Sequence, residues 1–318
     1  MAHRLAAALA CALCASCCKH QLRPEDAARC RDASVDPARL RAHVDALSTR
    51  FVPRDFDHPA NLDRAADYLV AELRRVGAAV VDQPYTVESR TYRNVLARLG
   101  PETEERIVVG AHYDAAGDQP GADDNASGVA GLLELARLLS SSIPPLRIDL
   151  AAYTLEEPPN FAEETMGSAL HAALLAQQKV PVRLMISLEM IGAFSDAEGS
   201  QSYPLFLGLF HPSTANFVAV VGRWGQGPTI DEIARGLRAA SDLPVETFSA
   251  PEFVPGVDFS DHRSFWAYGY PAVMVTDTAF LRNPRYHTSE DRPETLDYSR
   301  MAEVVKGVHC AVQSAARR

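Results

Sequence analysis

Three short aliphatic runs, at residues 106–110, 146–155 and 182–191, alternate with segments whose apolar residues recur at helical spacing. Runs of that length are buried strands, and helices between them must pack on the faces of the sheet they form. Helical spacing occurs at residues 35–47, after Asp36-Pro37, and at 61–76, where Gly77 ends the pattern. It returns at 127–139, 166–178, 230–240 and 298–316. Further strands are expected at 78–81, 85–88, 93–99, 205–209 and 272–275. The alternation predicts an α/β fold around a largely parallel or mixed sheet, without repeats. Sites in such sheets gather at the carboxyl ends of strands.

Chemically capable side chains stand at those ends. His112 follows the 106–110 run, the Glu156-Glu157 pair follows 146–155, and Glu189 lies within 182–191. Asp123 belongs to Gly121-Ala122-Asp123-Asp124-Asn125-Ala126-Ser127-Gly128, a small-residue loop before a helix. Small residues let such a loop turn tightly beside a cation. Asp124 or Asn125 can cap the helix, since only one of the adjacent aspartates needs to be a ligand. His287 lies in the polar loop after the 272–275 strand, and Ser260-Asp261-His262 is a second polar knot. A mixture of imidazoles and carboxylates suits zinc or a similar divalent metal. Asp114, two residues past His112, can accept its second ring N–H and fix the tautomer. A glutamate inside an apolar run needs a cation or a hydrogen-bond partner. One of the paired glutamates can bind metal while the other takes a proton from bound water.

These motifs, in this order, resemble the M28 family of zinc aminopeptidases. The matching pieces are residues 110–114, 121–128, Glu156-Glu157 followed by Met166-Gly167-Ser168, 188–192, Ser260-Asp261-His262 and 286–291. The resemblance implies a three-layer α/β/α sandwich around a mixed, largely parallel β-sheet. It implies two zinc ions bridged by Asp123, with His112 and Glu189 completing one site and Glu157 and His287 the other. Glu156 would be the general base, and Asp114 the partner of His112. Peptides or aminoacyl compounds would be the substrates. Two departures stand out. The Glu189 position is often aspartate in the family, so a longer side chain there makes the second metal less secure. The connection at 158–165 is long and is expected to border the substrate pocket. Other readings of the same motifs are a single-zinc glutaminyl-peptide cyclotransferase, a carboxypeptidase using Arg263, Arg282 or Arg285, and a non-catalytic binding module.

The 318-residue chain has a net charge of −10 with no basic cluster, which argues against nucleic-acid binding. Arg4 and the Ala/Leu/Cys run at 5–15 read as an export signal, placed at residues 1–18, too short to span a bilayer. Ala15-Ser16 before Cys17 loosely resembles a lipoprotein cleavage site, making Cys17 a candidate lipid anchor. Residues 19–36 read as a linker, and 37–318 as the metallopeptidase domain. An exported protein is periplasmic, secreted or lipid-anchored. Outside the leader only Cys30 and Cys310 remain, either a disulfide or two unrelated small apolar residues.

Overall fold

The computed structural model describes residues 28, 30–204 and 207–318. The expected signal peptide and the candidate anchor at Cys17 lie outside them. No helix among the described residues is long and apolar enough to cross a membrane.

Asp36 opens helix α1 (Pro37–Asp45) by accepting a hydrogen bond from the Ala38 N–H at 2.9 Å, with Pro37 in the first turn. Helix α2 (Pro59–Arg75) turns Leu62, Leu69 and Leu73 inward at helical spacing. Then come β1 (Ala79–Val87), β2 (Arg90–Leu99), β3 (Arg106–His112), α3 (Gly128–Ser141), β4 (Arg147–Tyr153), α4 (Gly167–Gln177) and β5 (Val182–Glu189). The chain continues through β6 (Val218–Arg223), α5 (Gly227–Ala240), β7 (Val245–Ala250), α6 (His262–Ala267), β8 (Ala272–Thr276) and α7 (Tyr298–Ala315).

The strands form one eight-stranded sheet in the order β1-β2-β4-β3-β5-β8-β6-β7. Its centre, β4-β3-β5-β8, is parallel, and β1, β2 and the β6–β8 pairing bring in antiparallel neighbours. One face buries Val109, Leu150 and Ile186 with residues of α1, α2, α3, α5 and α7. The other buries Val108, Met185 and Met274 with Ala172 and Leu175 of α4 and Phe265 and Trp266 of α6. This is the mixed-sheet sandwich the sequence implied.

Local differences have simple causes. The runs at 78–81 and 85–88 are one strand, β1, because Pro84 sits on an edge strand where a missing N–H is tolerated. No strand occupies residues 207–209, which form a 3-10 turn, and 205–206 lie outside the described residues. The strands there are instead β6 and β7. Edge strand β7 reads Val-Glu-Thr-Phe-Ser-Ala, with too few apolar side chains to announce itself.

Cys30 and Cys310 are joined by a disulfide across a sequence separation of 280 residues, with Cα atoms 5.1 Å apart. The bridge packs against Ala240 and ties the segment before α1 to the closing helix. Closing so long a loop removes much unfolded-chain entropy, typically worth roughly 2–4 kcal/mol. Reductant is therefore expected to lower Tm by several degrees, and a Cys30→Ser, Cys310→Ser double variant should start lower and not respond to reductant. Thermal unfolding followed by circular dichroism checks both.

Candidate metal centre

The parallel core delivers the donors to one end of the sheet. His112 is the last residue of β3 and Glu189 the last of β5. Glu156 and Glu157 follow β4 after Thr154 and Leu155, and His287 comes from the loop after β8. The 122–127 segment enters from above, immediately before α3.

That segment is held from several directions. Arg54, fully buried, donates to the carbonyls of Tyr113, Leu47, Pro120 and Gly121. Burial pushes its pKa down to about 10 against the pull of Asp291, Asp114 and Asp124. Gly121 has φ +56°, and a Cβ there would meet the Asp124 carbonyl at 2.2 Å, so the turn requires glycine. Asp291 accepts from the backbone N–H groups of Asp123, at 2.9 Å, and Asp124, at 3.1 Å. Asn125 reaches the end of β5, donating to the Leu188 carbonyl at 2.8 Å and accepting from the Met190 N–H at 3.1 Å. The Asp124–Asn125 peptide bond is cis.

Here the expectation for Asp123 needs correction. Its carboxylate turns away from the cluster, accepting from the Gly192 N–H at 3.0 Å and from Asn283 Nδ2 at 2.8 Å. The neighbouring Asp124 faces the two imidazoles instead: Oδ1 lies 3.4 Å from His112 Nε2, and Oδ2 lies 3.0 Å from His287 Nε2. Adjacent residues in this kinked segment point in opposite directions. Which one faces inward is set by the distant anchors, Gly192 and Asn283.

The other expected residues converge. His112 Nε2 lies 3.3 Å from Glu189 Oε2 and 3.8 Å from Glu156 Oε2. His287 Nε2 lies 3.2 Å from Glu157 Oε2. Asp114 Oδ1 is 3.5 Å from His112 Nδ1, too long for a strong hydrogen bond, while Asp114 Oδ2 accepts from the Glu157 N–H at 3.0 Å. Two groups of three donor atoms, His112/Glu156/Glu189 and His112/Asp124/Glu157, each fit within 4.8 Å. All of these residues are buried except His287, whose side chain is 32% exposed.

Charge is badly balanced in this knot. Among the described residues no lysine or arginine side chain pairs with Asp124, Glu156, Glu157 or Glu189. Burial raises the Glu156 carboxyl well above its ordinary range, and Glu189 and Glu157 add to this against His112. Burial and Asp124 hold Glu157 up to about 7. His112 is held well above the usual imidazole value because Glu189 and Glu156 outweigh its burial. Asp124 is held low because its two histidine partners outweigh burial. Such a set is what a divalent cation would neutralise. The directions of the atoms agree: His287 Nε2 and Glu157 Oε1 are buried without hydrogen-bond partners, although oxygens lie near the nitrogen. The donors aim at shared points rather than at each other. Nitrogen and carboxylate ligands in sets of this size fit zinc.

The Ser260-Asp261-His262 knot supports this arrangement. Ser260 Oγ donates to Glu189 Oε2 at 2.7 Å and meets Ser187 Oγ at 2.7 Å. His262 is structural: it contacts the Val257 carbonyl at 2.8 Å and the Trp266 ring edge-on, and burial lowers its pKa to about 4. Sequence reasoning missed Arg54 and Asn283, and gave Asp291 no task beyond its place in the 286–291 motif. No motif marks Arg54, whose role exists only through backbone carbonyls brought to it by folding.

A mostly apolar cavity of about 90 Å³ lies next to residues that touch the cluster, lined by Phe217, Met274, Phe259 and Phe280 among others. Phe259 precedes Ser260, and the Phe280 ring packs on Tyr286, which stacks on His287. The 158–165 connection reaches this mouth, where Phe161 meets Phe259 edge-on at 5.7 Å.

The sequence profile of Peptidase family M28 matches residues 94–312. The chain is 44% identical over 283 residues to the uncharacterized protein YfbL of Escherichia coli, covering 86% of this chain and 87% of that protein. It is 26% identical over 293 residues to leucine aminopeptidase 1 of Penicillium rubens, covering 86% and 70%. In fold it is similar to BSAP, a zinc aminopeptidase from Bacillus subtilis, with a TM-score of 0.71, 16% identity, and coverage of 89% and 95%.

Proposed function

The chain belongs to peptidase family M28, and we propose that within it the protein is a zinc-dependent aminopeptidase with Glu156 as general base. The observation that carries this reading is the placement of Asp124, one oxygen toward His112 and the other toward His287. Asp124, His112 and Glu189 would hold one zinc ion, and Asp124, Glu157 and His287 a second. Bound zinc would acidify a coordinated water and polarise the scissile carbonyl.

Glu156 stands with His112 and Glu189 in one of the two donor groups, and its carboxylate would accept the water proton and return it to the departing amine. Asp114 holds the Glu157 backbone through its N–H and so fixes where the pair points.

Two of the three arginines a carboxypeptidase could use, Arg282 and Arg263, are committed elsewhere. Arg282 packs on Phe217 at 4.4 Å, bonds to Gln201 Oε1 at 2.8 Å and donates to the Phe217 carbonyl at 2.8 Å. Arg263 lies over the Phe161 ring at 4.9 Å and faces Asp258 at 3.5 Å. The disulfide supports export to an oxidising compartment.

A panel of aminoacyl, glutaminyl and carboxyl-terminal substrates, run with zinc quantification on the same preparation, tests the assignment. Expected are close to two zinc ions per chain and cleavage of the aminoacyl substrates. Cyclised glutaminyl product, or release of C-terminal residues, would overturn it.

A further inference from the structure

We propose that the cavity beside the metal centre selects N-terminal residues with a long apolar stem and a cationic tip, arginine or lysine, through the carboxylate of Glu246. This rests on the aminopeptidase reading. Strand pairing carries the argument. Glu189 is in register with Thr276, Thr276 with Ala219, and Ala219 with Glu246, across β5, β8, β6 and β7. Side chains at register-paired positions share a face of the sheet, so Glu246 lies in the same row as Glu189, three strands along, roughly 14 Å away in the backbone. The cavity lies over this row and is lined by Thr276, Ala219 and Glu246.

Between the two acidic ends the wall is apolar: Met274, Val221, Phe217 and Val257. A side chain of leucine's length would end among these. Longer basic side chains bury their methylene stems against such a wall and carry the charge on to its far end. Glu246 waits there in a fixed position. His211 Nδ1 lies 3.1 Å from Glu246 Oε2, and the imidazole is itself stacked on Tyr203 with centroids 5.5 Å apart and set edge-on to Phe248. Among the described residues no lysine or arginine pairs with Glu246, whose side chain is 32% exposed. Arg282 lies against Phe217 and is bonded to Gln201 and backbone carbonyls. Glu246 shares one face of β7 with Phe248 and Ala250. A carboxylate at that position of the cavity face leaves its second oxygen for a ligand cation.

The test compares wild type with Glu246→Gln, and with Glu246→Asp as a charge-keeping control. Arginyl-, lysyl- and leucyl-aminomethylcoumarin measure turnover, and calorimetry measures binding of argininamide and leucinamide. The inference expects the ratio of kcat/KM for arginyl over leucyl substrate to fall tenfold or more in Glu246→Gln. Argininamide should bind about tenfold more weakly, and Glu246→Asp should recover part of both. A ratio unchanged within twofold, or a wild type that cleaves leucyl but neither basic substrate, overturns it. If no aminoacyl substrate is cleaved yet argininamide binding still depends on Glu246, the pocket assignment stands and the aminopeptidase reading falls. No turnover and no dependence on Glu246 would reject both.

Discussion

Glu156→Gln is expected to abolish most turnover while leaving the zinc content and fold of the protein intact. The substitution keeps shape and hydrogen-bonding reach but removes the ability to accept and return a proton. General-base contributions of this kind are worth about 10²–10⁴ in rate, and the fall should appear in kcat with little change in KM. The proposed roles separate Glu156 from its neighbour, although each stands in a three-donor group. Glu157 faces His287 at 3.2 Å and belongs to the donor set around Asp124, whereas Glu156 approaches the cluster at 3.8 Å from His112. Glu157→Gln should therefore cost metal, and Glu156→Gln should not. Steady-state kinetics alongside elemental analysis of both variants distinguishes them. A Glu156→Gln protein within tenfold of wild-type kcat would remove it from the base role, and one lacking zinc would make it a ligand.

Much of this centre was legible because catalysis forces recognisable chemistry onto strand ends. His112 and Glu189 could be found by following aliphatic runs to where they stop, since β3 and β5 end on those residues. The Glu156-Glu157 pair announced itself as two charges after a buried strand. What escaped was decided by tertiary contact. Nothing local tells Asp123 from Asp124; the choice is made by Gly192 and Asn283, far along the chain. Arg54 binds four backbone carbonyls, and carbonyls carry no sequence. The omission of β6 and β7 had a functional cost as well. Without those strands the row from Glu189 to Glu246 cannot be drawn, and the cavity has no far end. The Cys30–Cys310 pairing was readable as a possibility from their isolation in the chain after the leader, and the fold decided between the two readings.

The adjacent aspartates give the sharpest test of how the centre is built. Asp124→Ala should strip zinc from both donor sets, because its two oxygens face the two imidazoles at 3.4 and 3.0 Å. Turnover should fall further than the roughly 10–100-fold that loss of a supporting residue costs. Asp123→Asn should behave as such a supporting change. Asp123 accepts two hydrogen bonds, from the Gly192 N–H and from Asn283 Nδ2. An asparagine can satisfy only one of those donors and sets its own amide N–H groups against the other. The loop of His287 begins near Asn283, so loosening that tie lets the His287 side of the centre drift. Zinc affinity measured by competition with a chelator should weaken about 10–100-fold, with full stoichiometry recovered at high zinc. Asn283→Ala, which removes the same tie from the other end, should reproduce the effect, and combined with Asp123→Asn should add little. If instead Asp123→Asn empties the centre at any zinc concentration while Asp124→Ala keeps its metal, the inward-facing aspartate is Asp123 and the arrangement of ligands drawn here is wrong.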